Sequence, residues 1–368
     1  MGFNCGIVGL PNVGKSTLFN ALTQTVAAQA ANYPFCTIEP NAGRVAVEDP
    51  SLEQVAAIAC SAKIIPTSLE IVDIAGLVKG ASQGEGLGNQ FLGHIREVDA
   101  LLHLVRCFED SNITHVEGSV DPLRDMEIIE TELMLADLES LEKRLPATVK
   151  RLKGAAQDAE LQATYRLMEE AYEVLKEGKP ARSFAPPPDQ LKLFRTLQLI
   201  TSKPVLYVCN VGEQEAAIGN TFSQRVAAYA QNQKAQSVFI SAAIESEVAA
   251  LDTAEEKQLF LADLGLQESG LTKIVRCGYD LLDRLTFYTV GPKEARAWTT
   301  FKGARAPQAA GEIHSDFERG FICAETVSLE DYIAYRGEQG AKTAGKLRLE
   351  GKDYIVQDRD IFHFRFNV

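Results

Sequence analysis

The run Gly9-Leu10-Pro11-Asn12-Val13-Gly14-Lys15-Ser16 sets two glycines, a lysine and a hydroxyl at the G-x-x-x-x-G-K-[ST] spacing. Residues of these types in this order handle polyphosphate. Glycines let backbone N–H groups converge on phosphate oxygens, and a following helix N-terminus adds partial positive charge. Lys15 would act on the β and γ phosphates and the Ser16 hydroxyl would ligate Mg²⁺, while Asn12, Val13, Gly14 and Thr17 complete the nucleotide-contacting loop. The plain alternative is a Gly-rich turn with a stray lysine. The strand predicted before the run and the helix predicted after it favour the phosphate site.

Hydrolysis of a nucleoside triphosphate needs a carboxylate near Mg²⁺. Asp73 ends the apolar run Leu69-Glu70-Ile71-Val72 and is followed by Ile74-Ala75-Gly76, a loop that suits γ-phosphate sensing. An isolated strand-end Asp is commonly a cap or turn residue, but behind a phosphate loop the metal role is preferred. Thr37, in Pro34-Phe35-Cys36-Thr37-Ile38-Glu39-Pro40, places a hydroxyl where a switch threonine would complete the Mg²⁺ shell.

The base end departs from guanine recognition. An N-K-x-D motif would supply an Asp to guanine's ring N–H and amino group, whereas here the strand leads into Asn210-Val211-Gly212-Glu213. Val211 replaces the lysine that would cover the base, and Glu213 is one methylene longer than Asp. A displaced acceptor relaxes or inverts the preference, so adenine is expected over guanine. Ser241, in Ser241-Ala242-Ala243, opens a second base-side turn.

These residues need a scaffold of strands and crossover helices. Apolar runs of buried-strand length occur at Cys5–Gly9, Leu69–Asp73, Ala100–Val105, Pro204–Cys209 and Ser237–Ile240, spaced as parallel strands require. The expected class is α/β, a P-loop G-domain with a mainly parallel sheet. From about Asp125 to Lys176 the rhythm changes. Leu138, Leu141, Leu145, Val149 and Leu152, then Leu161, Tyr165, Met168, Tyr172 and Leu175, make a stripe on each of two helices, with Gly154–Asp158 turning between them. An inserted coiled-coil hairpin is expected, with Pro146 kinking or dividing its first arm. Short aromatic, β-branched strands at Leu285–Val290, Ala295–Thr300 and Ile361–Phe366 predict a small α+β module, mostly antiparallel. The expected division is a G-domain of residues 1–124 and 200–283, a hairpin of residues 125–199 and a C-terminal domain of residues 284–368.

Composition narrows the function classes. The 368 residues are 46% hydrophobic and 24% charged, which excludes disorder as the main state. With 37 basic and 50 acidic side chains the net charge is −13, which argues against whole-surface nucleic-acid binding and against DNA as a partner. The charge is uneven: residues 284–368 hold 13 basic and 12 acidic side chains, leaving 24 and 38 in the remainder. Seven scattered cysteines without a C-x-x-C pair fit neither zinc nor a disulfide framework. No apolar run reaches membrane-spanning length, so a cytoplasmic protein without a membrane partner is expected.

Taken together, Gly9–Thr17, Phe35–Pro40, Asp73–Ala81, the glycine-rich Gly84–Leu92, Asn210–Glu213 and Gly337–Lys342 resemble the YchF-type, Obg-like ATPases, translation-factor-class P-loop proteins with a TGS domain. The resemblance spans essentially the whole chain. It implies ATP hydrolysis on a GTPase fold, a ubiquitin-like TGS module at the C-terminus, and association with the ribosome, through the large subunit or the 70S particle and ribosomal RNA. A Ras-like enzyme orients water with Gln after the D-x-x-G loop, where this chain has Leu77. In similar proteins a loop His takes that role, and the matching residue is His115; a local hydrogen bond is the competing reading. Asn12 resembles the residue that ligates potassium in cation-stimulated relatives, so K⁺ joins Mg²⁺ as an expected cofactor. Cys36 beside Thr37 is a redox candidate, though many cysteines are inert small hydrophobes.

In the C-terminal domain Lys342, Lys346, Arg348 and Lys352 lie near Tyr332, Tyr335 and Tyr354, a pattern that fits either RNA contact or a solvated face. The sequence therefore predicts a Mg-dependent ATPase and ribosome-associated molecular switch. A GTPase with a tolerant base pocket and a nucleotide-bound scaffold with little hydrolysis are the competing functions.

Overall fold

The computed structural model describes residues 3–30, 38–39, 42–47, 49–73, 93, 95–155 and 157–367. In chain order the first elements are β1 (Phe3–Val8), α1 (Lys15–Ala30), β2 (Ile38–Glu39), β3 (Ala42–Ala46), α2 (Pro50–Ala59), β4 (Ile64–Ile65), β5 (Ser68–Asp73) and β6 (Ala100–Arg106). The helical insertion contains α3 (Pro122–Gly154), α4 (Ala159–Lys176) and α5 (Leu191–Thr196). Next come β7 (Val205–Asn210), α6 (Thr221–Asn232), β8 (Gln236–Ile240), α7 (Ala242–Ala250), α8 (Ala254–Asp263) and α9 (Gly270–Leu281). The C-terminal strands are β9 (Arg284–Val290), β10 (Ala295–Phe301), β11 (Phe321–Val327), β12 (Arg348–Glu350) and β13 (Ile361–Phe366). Two compact units result, one of residues 4–21 and 71–271, the other of residues 1–3, 22–70 and 272–368.

In the first unit β5, β1, β6, β7 and β8 lie side by side in that order. β6 pairs in parallel with both β1 and β7, and β7 with β8. Every residue of β6 and β7 is buried, which is why they read as unbroken apolar runs rather than alternating ones. The parallel order carries Gly9, Asn210 and Ser241 to the carboxyl ends of their strands, the edge where such sheets bind ligands.

His103 lies within β6, 5.6 Å from the Tyr207 ring. Burial, then the charges of Arg182 and Lys15, push its pKa from 6.5 down to about 3. The folded protein thus holds a neutral imidazole while the unfolded chain binds a proton below pH 6.5. Its contribution is fully present above about pH 6.5 and is lost toward pH 3, by at most ~1.4 kcal/mol per pH unit. His103→Gln is expected to flatten this acid limb in urea unfolding; equal pH slopes for the two proteins would remove the effect.

The hairpin insertion forms as predicted, with one difference. α3 runs unbroken through Pro146 rather than dividing there. Contacts on both sides of the proline hold it: before it Leu138, Leu141 and Leu145 pack with Leu167, Met168, Ala171, Tyr172 and Leu175 of α4, and after it the buried Thr148 Oγ1 donates to Met168 Sδ at 3.9 Å. Packing of that kind outweighs the roughly 3 kcal/mol a helix-interior proline costs. Asp137, fully buried, ties α3 to the returning chain, accepting from Ile200 N, Thr201 N and Thr201 Oγ1 at 2.7–2.9 Å.

In the second unit a six-stranded sheet has the order β12-β11-β13-β9-β10-β4. β10/β9, β11/β12 and β11/β13 are antiparallel, while β4 adds in parallel to the edge of β10, with Ile64 opposite Ala295. Leu52, Val55 and Ala56 of α2 pack with Tyr288, Ala295, Ala297, Tyr332 and Ile361. Asp49 caps α2 and accepts from the Tyr288 hydroxyl at 2.7 Å. Residues 49–65, left with the G-domain by sequence, thus pack on the C-terminal sheet. Among the described residues no helix is long and apolar enough to cross a membrane.

Candidate functional site

The loop from β1 to α1 is shaped by close approaches that only glycine allows. A Cβ at Gly9 would meet Leu104 O at 2.4 Å, and one at Gly14, where φ is 99°, would meet Asn210 Nδ2 at 2.4 Å. Between them Asn12 takes a left-handed φ of 60°. Asn210, buried at the end of β7, braces the loop: its Nδ2 donates to Val13 O and its Oδ1 accepts from Ala242 N, each at 2.9 Å. One amide thus joins the phosphate loop to the first turn of α7.

Lys15 Nζ donates to Gly9 O and Leu10 O at 2.8 Å, so the ammonium lies over the loop it belongs to. Ser16 and Thr17 are exposed in the first turn of α1. They border a cleft of about 700 Å³ shared by Asn12, Gly14, Lys15, Phe108, Ile113, Asn210, Val211, Glu213 and Ser241. This size suits a nucleotide. The cleft brings together the predicted residues Asn12, Gly14, Lys15, Ser16, Thr17, Asn210, Val211 and Ser241. Val13 is buried behind it.

At the base end Val211 is buried, with its N–H donating to Ile240 O, and Glu213 is exposed at the start of the turn after β7. Ser241 is the N-cap of α7 but its side chain makes no capping bond. Asn210 Nδ2 and Oδ1 each bond to the protein and hold the loop, and the amide keeps a second Nδ2 hydrogen at the border of the cleft. The donor set fits Mg²⁺ through the Ser16 hydroxyl and ligand phosphate oxygens; among the described residues no cluster of His, Cys, Asp or Glu is built for a metal. Asp73 ends β5 beside β1, and its side chain lies outside the described residues, as do Thr37, Cys36 and Leu77.

His115 is not among the cleft residues. Its Nδ1 accepts from Glu117 N at 3.1 Å, so Nε2 carries the proton and donates to Asp125 Oδ2 at 2.8 Å. Asp125 is buried and also accepts from Arg124 Nη2 at 2.9 Å. The neighbouring backbone does touch the phosphate loop: Asn12 Nδ2 donates to Thr114 O at 3.1 Å.

Sequence reasoning missed Arg106. It ends β6 almost wholly buried, donating to Phe108 O, Asp110 O and Ile113 O while stacking over the Phe108 ring at 4.7 Å. It folds residues 108–113 into a wall of the cleft. The signal was available: an arginine closing an otherwise apolar parallel strand must find acceptors nearby.

The basic C-terminal cluster is partly neutralised. Lys346 pairs with Asp331, and Arg348 pairs with Glu350 and Asp360 and bonds to the Tyr354 hydroxyl. Tyr332 is buried; of the three tyrosines Tyr335 is the more exposed.

Two family models match the chain: one described as a 50S ribosome-binding GTPase over residues 4–137, and the YchF GTPase C-terminal model, described as a protein of unknown function, over residues 285–367. The chain is 53% identical over 370 residues to the ribosome-binding ATPase YchF of Bacillus subtilis, with all of both chains covered. It is 51% identical over 368 residues to the protein of that name from Escherichia coli O157:H7, again over both full lengths. The solved Schizosaccharomyces pombe YchF GTPase superposes with a TM-score of 0.85 at 37% identity, covering 99% of this chain and 98% of that one.

Proposed function

The chain belongs to the YchF family and is a P-loop ATPase, and from that premise we propose that it is a Mg-dependent, ribosome-associated molecular switch acting in the cytoplasm. The observation that carries the reading is the cleft itself, with lysine and hydroxyls at one end and Val211, Ser241 and a displaced Glu213 at the other. Lys15 neutralises the β and γ phosphates, Asn12 to Thr17 hold them, and Ser16 with Thr37 and Asp73 would hold Mg²⁺, which supplies positive charge as the γ-phosphate leaves. Adenine fits an end that has lost the lysine and shorter carboxylate of guanine sites.

The family gives ribosome binding to the relatives by name; for this chain we assign contact with the large subunit or 70S particle and its RNA to the hairpin of residues 125–199 and the module of residues 284–368. The pairing of Lys346 and Arg348 with acids limits the RNA-contacting cations of the module's cluster. The G-domain proper is residues 1–124 and 200–283, lending residues 49–65 to the C-terminal sheet. His115 orients water after leaving Asp125, and Asn12 Oδ1 would ligate K⁺ while its Nδ2 keeps Thr114.

A second reading, a GTPase with a tolerant pocket, is favoured by the GTPase descriptions of the matched model and of the S. pombe structure. Single-turnover hydrolysis of ATP and GTP, with and without ribosomes and in potassium or sodium buffer, separates the readings. ATP is expected to turn over faster, with stimulation by ribosomes and by potassium. GTP turned over equally well would favour the second reading, and negligible hydrolysis in every arm a scaffold. In the same assay peroxide is expected to inhibit through Cys36, and inhibition that persisted in Cys36→Ser would remove the redox role.

A further inference from the structure

Elsewhere in the same unit, Arg96, Ser140, Lys143, Arg144, Leu197 and Gln198 border a second cleft of about 400 Å³. Two guanidiniums converge on one turn of its wall: Arg144 Nη1 donates to Leu197 O at 2.7 Å and Arg96 Nη1 to Gln198 O at 3.0 Å. Gln198 takes a left-handed φ of 52° there. A guanidinium has five N–H donors, and these bonds use one from each. Two acids lie at this cleft, Glu139 on its border and Asp137 behind Arg96, so its positive charge is only partly balanced. Glu139 pairs with Lys143, and Asp137, 4.0 Å from Arg96, accepts from Ile200 and Thr201 with its two oxygens. Among the described residues Arg144 forms no ion pair with a carboxylate. Burial, and then the charge of Arg96, lower its pKa below the usual arginine range. Asp137 acts in the opposite sense on Arg144, but one carboxylate beside two guanidiniums on a half-buried wall leaves positive charge for an anion to balance.

We propose that this cleft is a second anion site, apart from the nucleotide cleft, which binds a phosphate group through Arg96 and Arg144 with Ser140 and Lys143 at its rim. The planar forks match phosphate oxygens in pairs, and Lys143, exposed at the opening, would exchange its Glu139 partner for the anion. The Ser140 hydroxyl can donate to a further oxygen. A group of this chemistry comes either from a free phosphate compound or from the phosphodiester of a nucleic-acid strand, and 400 Å³ admits both.

The test uses the full chain saturated with Mg²⁺ and a non-hydrolysable ATP analogue, so that the phosphate loop is filled. Inorganic pyrophosphate, and separately a short single-stranded RNA, are titrated by calorimetry. Saturable binding of at least one probe is expected, weakened about tenfold or more by Arg144→Gln. Binding of pyrophosphate alone identifies a free phosphate compound; RNA binding that pyrophosphate displaces identifies a phosphodiester. Ser140→Asp keeps both arginines and their carbonyl bonds while adding a negative charge, so it should weaken binding as much even if Arg144→Gln disturbs the turn. Absence of saturable binding by either probe, or binding by Ser140→Asp equal to that of the unaltered chain, overturns the site.

Discussion

Lys15→Met is expected to lower ATP turnover by about 10²–10³-fold, the range seen when one preorganised charge-stabilising donor is removed. The methionine keeps an unbranched stem at the start of α1, so the Leu18 N to Gly14 O bond of that first turn should survive. What is lost is the ammonium now 2.8 Å from Gly9 O and Leu10 O, the group that would follow charge onto the leaving phosphate. Because Lys15 would also contact bound nucleotide, KM should rise as kcat falls. Unchanged single-turnover hydrolysis in a folded Lys15→Met protein would remove the residue from catalysis.

His115→Ala is expected to cost on the order of 10²-fold in kcat while leaving ATP affinity nearly unchanged, since the imidazole is not among the groups lining the cleft. The split between kcat and affinity is the informative readout, because a merely structural histidine would alter both through the 108–114 wall. Asp125→Asn sharpens the test. The carboxylate now receives the His115 Nε2 proton at 2.8 Å, and a neutral amide in its place holds the ring less tightly. If the ring must leave Asp125 to reach water, Asp125→Asn should retain or raise turnover. Full turnover in His115→Ala would mean that other groups orient the water.

The phosphate loop was legible because its chemistry leaves few residue choices: Gly9 and Gly14 stand where a Cβ would strike Leu104 and Asn210, and the helix must begin at Lys15. The parallel strands were legible because β6 and β7 are buried throughout. The hairpin followed from its stripes, although Leu167, 1% exposed, lay outside the expected stripe. Long-range commitments were harder to read. Nothing local marks Asn210 as a brace between Val13 and Ala242, because its spacing from the loop is set by the sheet. The partner of His115 was only ten residues away, yet a loop histidine beside several acids does not name which one it meets. Residues 49–65 fall within the expected G-domain bounds of 1–124, and only β10 and Tyr288 reveal where they belong.

That last arrangement bears on how the protein is made. Ile64 pairs with Ala295, 231 positions later in the chain, and the apolar face of α2 has its cover among residues such as Tyr288 and Ile361. At ~5–20 residues per second of synthesis, the N-terminal segment waits on the order of ten to fifty seconds for its partners to emerge. During that interval Leu52, Val55 and Ala56 are uncovered on the nascent chain. Closure of so long a loop places this sheet among the slow, high-contact-order steps of folding. It also means that residues 285–367 produced alone would keep the core around Phe287 and Trp298 but lack one edge strand and the helix that covers Tyr288, Ala295 and Ile361.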